Sequence, residues 1–68
     1  MSKSYRVVPD GSMWKVMKAS SNSASHRTIS RHRLKRRAEM KARQKARSGD
    51  ELTILTSDGA IQSRVTVR

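Results

Sequence analysis

Ten of the sixteen Lys and Arg residues of this chain fall between His26 and Arg47, where Glu39 is the single acid, so that segment carries a net +9. The remainder holds six basic and four acidic residues, a net +2. Such a segment cannot be enclosed on all sides. Its like charges recur at i,i+3 and i,i+4 spacings, where each pair mildly opposes a helix, so the charges must point outward and are stabilised by an anion. From Arg31 to Arg47 there is no Gly or Pro, and Arg, Lys, Ala, Glu and Gln dominate, all good helix formers. Thr28 or Ser30 can serve as N-cap, and Ser48-Gly49 supplies a C-terminal stop. The pattern predicts a helix over 28–48, with Leu34, Ala38, Ala42 and Ala46 forming a narrow stripe that packs on a sheet.

The flanking segments read as hairpins. After a flexible N-terminus at 1–3, residues 4–18 offer two strands, Tyr5–Val8 and Met13–Met17, around Pro9-Asp10-Gly11-Ser12, where Pro fixes φ and Gly accepts positive φ. Trp14 and Val16 alternate with Lys15, which places Trp14 in the core; Tyr5 suits either the core or a base-stacking position. Residues 19–27 read as a Ser-rich loop. Residues 51–67 form a second pair, Leu52–Leu55 and Ala60–Val67, around Ser57-Asp58-Gly59, with Ile61, Val65 and Val67 on one face. The fold expected is α+β: a single small domain over 1–68 in the order ββαββ, an antiparallel sheet with one long basic helix packed across it.

Composition excludes several kinds of chemistry. With 68 residues and few large apolar side chains, one core of marginal stability is expected. Cysteine is absent and there are two His, so redox chemistry, a metal site and a cofactor are not expected. No apolar run approaches the roughly 20 residues of a membrane span, and a cytoplasmic protein of a bacterial or phage-infected cell is the expectation. Asp10 and Asp58 precede Gly in turns, Asp50 and Glu51 border a strand, and Glu39 sits four residues from both Lys35 and Arg43. No paired-carboxylate site or nucleophile motif emerges, and the chain is not expected to be an enzyme. His26 and His32 lie among arginines, with no neighbouring carboxylate in sequence to orient either ring.

The net charge of +11 therefore directs the functional reading. Arg31, Arg33, Lys35, Arg36, Arg37, Lys41, Arg43, Lys45 and Arg47 are the candidate contacts for nucleic-acid phosphates. Arg outnumbers Lys seven to three between His26 and Arg47, and its planar fork binds phosphate bidentately and stacks on bases, which favours RNA slightly over DNA. The alternative is a protein-interaction module whose basic helix docks on an acidic protein surface. Membrane or calmodulin-type binding needs bulky apolar anchors, and the stripe supplies one Leu and several Ala.

Two resemblances accompany these patterns. Val7-Val8-Pro9-Asp10-Gly11, Trp14-Lys15-Val16, the Ala-spaced helix, Leu52-Thr53-Ile54 and Asp58-Gly59-Ala60-Ile61-Gln62, in that order, resemble domain-of-unknown-function family 2188 over nearly the full chain. That resemblance implies a ββαββ fold and no activity, and this helix is more basic than is usual in the family. Locally, Ser30-Arg31-His32-Arg33-Leu34-Lys35-Arg36-Arg37-Ala38-Glu39-Met40-Lys41-Ala42 resembles the arginine-rich RNA-binding helix of lambdoid phage antitermination N proteins. By that resemblance Arg33, Lys35, Arg36 and Arg37 would lie against the phosphates of an RNA hairpin stem. Gln44 stands where the lambda protein has the aromatic that stacks on the hairpin loop.

Overall fold

The computed structural model describes residues 3–20 and 26–68, and within them the chain forms β1 (Lys3–Asp10), β2 (Met13–Ser20), β3 (Arg27–His32), α1 (Lys35–Lys45), β4 (Glu51–Leu55) and β5 (Ile61–Thr66). The strands make one sheet in the order β3-β2-β1-β4-β5, antiparallel at every boundary except β1 against β4, which is parallel. This corrects the ββαββ antiparallel expectation in two linked ways. Thr28–His32 is strand, so α1 begins seven residues later than 28 and spans 11 residues, about 16 Å. Because β3 reverses the chain once more before the helix, α1 delivers β4 parallel to β1 instead of antiparallel to it. One missed strand thus inverts the direction of the whole C-terminal half.

The local reason lies in Thr28-Ile29-Ser30. Two β-branched residues and a Ser are poor helix formers and fit a pleated, half-buried surface. Extended, they cover the edge that β2 would otherwise leave open, with Ser30 opposite Val16 and Thr28 opposite Met17 across a bulge. Neither Thr28 nor Ser30 caps the helix. Its N-cap is Leu34, extended at φ −107 and ψ 134, with no side-chain cap. At the other end Ala46 leaves the helix, and a turn follows in which the Asp50 N–H donates to the Arg47 carbonyl (2.9 Å). Gly49, at the third position of that turn with φ 90, meets the positive-φ requirement of a type II turn. Of the Ser-rich 19–27 segment, Ala19 and Ser20 end β2, Arg27 begins β3, and 21–25 lie outside the described residues.

Both hairpins owe their register to glycine. Asp10 pairs with Met13, leaving Gly11-Ser12 as a two-residue loop with Gly11 at φ 63 and Ser12 outside positive φ, the II′ pattern. In the second, the Gly59 N–H donates to the Thr56 carbonyl (3.0 Å) with Gly59 at φ 89. The Thr56 hydroxyl donates to the Asp58 carboxylate, and that bond holds the Asp58 carboxyl below its ordinary range.

Tyr5, Val7, Val16, Leu52 and Ile54 share one sheet face, since Tyr5 pairs with Leu52 and Val7 with both Val16 and Ile54. Ala38 and Ala42, both at 0% exposure, press on them and let the helix approach closely. Leu34 does not join this stripe; as the N-cap it remains 50% exposed. Trp14, Ile29, Ala46 and Val67 pack at the margin of the core. Ile61 does not share the face of Val65: the bulge after Ile54 pairs Ile61 with Leu55, one residue out of phase.

Candidate nucleic-acid interface

The helix turns its two buried alanines to the sheet, so its opposite side carries Arg36, Arg37, Met40, Arg43 and Gln44, all exposed. Lys41 stands half-buried on the flank toward β3 and lines a cleft of about 200 Å³ with His32, Arg37, Met40 and Gln44. His32 Nε2 lies 3.0 Å from the Ser30 hydroxyl, which steadies the ring at the cleft wall. Arg33, in the segment between β3 and α1, is exposed at the same end of the helix. The first helical turn holds no acid and carries Lys35, Arg36 and Arg37, the reverse of what the helix dipole favours, and no side chain satisfies its free N–H groups. Arg43 and Lys45 in the last turn do suit the dipole. Among the described residues Arg43 has one ion pair, to Glu39 at 3.9 Å, and no ion pair engages Arg33, Arg36, Arg37 or Lys41. These cations face solvent with little to neutralise them.

The nine sequence candidates do not form one surface. Arg31 pairs with Lys15 across the sheet, which puts it on the face away from the helix, and its guanidinium meets Asp10 at 3.4 Å. That far face also carries Arg6 and Arg64, the latter held 3.3 Å from Glu51. Near Arg6, the His26 ring is lowered in pKa first by burial and then by the Arg6 charge. Lys35 is turned inward, its ammonium 5.0 Å from the centre of the Trp14 ring and donating to the Gln62 side chain. Lys45 and Arg47 lie at the other end of the helix, around a separate cleft that also holds Lys3 and Lys18.

Lys3 and Lys18 had no place among the sequence candidates, although Lys18 continues the Trp14-Val16 alternation and sits opposite Tyr5. Tyr5 is 2% exposed, so it belongs to the core and offers no face for stacking on a base. The antitermination-helix resemblance also fails on structure, because Ser30–His32 is strand, Leu34 is the cap, and Lys35 turns to the sheet.

Since Lys35 covers Trp14, a Lys35→Ala variant is expected to shift Trp14 emission to longer wavelength and to lose about 0.5–1 kcal/mol in chemical denaturation. Unchanged emission would mean the ammonium does not shield the ring.

Among the described residues, a five-stranded mixed sheet crossed on one face by one short helix with an outward cationic surface makes up a small α+β domain. Among the described residues no group of three His, Cys, Asp or Glu could hold a metal ion, and no helix is long and apolar enough to cross a membrane. The chain belongs to domain-of-unknown-function family 2188, described as an uncharacterized protein conserved in bacteria, whose family model matches residues 5–67. No curated protein and no solved structure matches.

Proposed function

We propose that this protein is a non-enzymatic nucleic-acid-binding module that holds phosphate backbones on the outer face of α1. The observation that carries this reading is the row of largely unpaired cations, Arg36, Arg37 and Arg43 exposed and Lys41 half-buried on their flank, with Arg33 at its N-terminal end, presented by a helix whose other side is fixed to the sheet. A rigid support lowers the ordering cost of binding, because the backbone that carries the cations is already fixed. Three of the four helical contacts are Arg, whose fork binds phosphate bidentately and stacks on exposed bases, so RNA is favoured over duplex DNA. With only its outer half free, the helix lies along a backbone or an opened stem and is not enclosed by the deep, narrow groove of A-form RNA.

The salt dependence tests this. Five phosphate contacts give a slope of log K against log salt of roughly −3.5 to −4.5, measured by fluorescence anisotropy with hairpin RNA, single-stranded RNA and duplex DNA. A near-flat response would remove phosphate neutralisation as the source of affinity.

A second reading rests on Met40, 53% exposed among these cations and available as an apolar anchor for an acidic protein surface. Retention of one defined acidic partner from nuclease-treated lysate, together with no affinity for purified nucleic acid, would replace the first reading with this one.

A further inference from the structure

A second cationic site lies at the far end of the helix. The start of β1, the end of β2, the last turn of α1 and the turn after it enclose a cleft of about 450 Å³ lined by Lys3, Tyr5, Lys18, Lys45, Arg47, Ser48 and Asp50. Its floor is fixed. The Tyr5 hydroxyl donates to the Lys45 carbonyl (3.2 Å), which ties the helix end to the sheet, and the Lys18 ammonium lies 5.9 Å from the centre of the Tyr5 ring.

Asp50 is the one acid in the lining, and its two oxygens are both engaged inside the fold. Oδ2 accepts the Arg47 N–H and Oδ1 accepts the Lys3 N–H, each at 2.8 Å. The residue is 4% exposed. Four cations against this one carboxylate leave the lining at a net +3. The cleft falls within the size range of small-ligand sites, roughly 300–1,000 Å³, yet it lacks the apolar walls such sites use to hold an uncharged molecule. Tyr5 is 2% exposed, so it offers no open ring face on which a base could stack. What the lining recognises is therefore charge and hydrogen-bond acceptors.

We infer that this cleft binds a dianionic phosphoryl group, with Lys3, Lys18, Lys45 and Arg47 as its charge partners and the Ser48 hydroxyl as an additional donor. A monoester phosphate matches the surplus charge better than a phosphodiester, which brings a single negative charge. Two sources share that chemistry: free phosphate, and the terminal phosphate of a strand. The site is separate from the outer helix face, and it stands whether or not that face binds nucleic acid.

The test is an amide NMR titration of the full chain at constant ionic strength, with inorganic phosphate, a 5′-phosphorylated trinucleotide and its 5′-hydroxyl counterpart as probes. Saturable shifts at Lys3, Tyr5, Lys18, Arg47 and Ser48 are expected with phosphate. Their midpoint should move at least tenfold in a Lys18→Gln, Lys45→Gln, Arg47→Gln variant, and stay in place in an Arg36→Ala, Arg37→Ala, Arg43→Ala variant. The same shifts with the phosphorylated but not the hydroxyl trinucleotide would identify a strand terminus as the source; shifts with inorganic phosphate alone would identify the free anion. No saturable shifts in the parent would overturn the site, as would unchanged shifts in a Gln variant whose spectrum shows it folded.

Discussion

A variant with Arg36, Arg37, Lys41 and Arg43 all changed to Ala is expected to bind hairpin RNA about a thousandfold more weakly than the parent at about 0.15 M salt, with the salt slope reduced by roughly three to four. The magnitude follows from counterion release, in which each neutralised phosphate contributes a factor of roughly five at that salt concentration. The same variant should fold at least as well as the parent. Ala is the best helix former, and the changes remove the like-charge pair between Arg37 and Lys41 at i,i+4. The accompanying loss of the Arg43–Glu39 pair matters little, since exposed i,i+4 pairs contribute about 0.3–0.5 kcal/mol. Weakened binding can then be read as lost contact and not as unfolding. By contrast, an Arg6→Ala, Lys15→Ala, Arg64→Ala variant, altered on the face away from the helix, should retain affinity within about tenfold, the range expected from diffuse charge alone. Equal losses in both variants would mean that net charge, and no particular face, governs binding.

The second large effect falls on stability. Asp50 joins three parts of the chain: its carboxylate accepts N–H groups from the start of β1 and from the turn after α1, and its own backbone bonds to Val67 and Arg47. The hydrogen bond from Arg47 is the main reason its carboxyl titrates below the ordinary range, with further lowering from the Lys3 N–H and from the Lys3 and Lys18 charges, against a burial effect of opposite sign. Asp50→Ala removes two charge-assisted hydrogen bonds in a part-buried setting, at a cost of about 2–3 kcal/mol. For a domain of this length that lowers the Tm by on the order of 10–20 °C, measurable by circular dichroism. Asp50→Asn should be nearly as damaging, because its amide presents an NH2 where one of the two N–H donors needs an acceptor. The pH dependence follows from the direction of the shift. A carboxylate with a depressed folded pKa contributes its full stabilisation above the unfolded value of about 3.9, and that contribution fades as pH falls through the lower folded value. The parent should therefore lose stability below about pH 4 more steeply than Asp50→Ala, which has no such carboxylate to protonate. Parallel acid curves for the two proteins would contradict this.

The two hairpins were legible because Asp10-Gly11 and Asp58-Gly59 state their turns in the residues themselves, and the structure pairs their flanking strands. The end of the helix was legible only approximately: Gly49 takes positive φ, but in a turn three residues beyond Ala46 and not at the helix cap. What the chain conceals is β3. Thr28-Ile29-Ser30 carries an extended preference, yet it is flanked by Arg27 and Arg31, whose charge makes the stretch look continuous with the helix that follows. Pairing with β2 decides the matter, and pairing is a nonlocal interaction that a helix-propensity reading does not weigh.

The candidate site was legible in kind and not in arrangement. A net +9 segment announces cations, but whether two of them meet depends on which face each occupies. Arg31 and Arg36 are five residues apart and end on opposite sides of the molecule, because one lies on a strand and the other on the helix. Lys18 and Lys45 are far apart in sequence and converge on one cleft because Tyr5 bonds to the helix end beside its cross-strand neighbour. Register creates that second cluster, and composition gives no sign of it.

The most direct test of the central claim is to map amide chemical-shift changes on the full chain as a hairpin RNA is added. The largest changes should cluster at Arg33, Arg36, Arg37, Met40, Lys41 and Gln44. Changes centred instead on Arg6, Lys15, Arg31 and Arg64, or no changes at low salt, would contradict that claim.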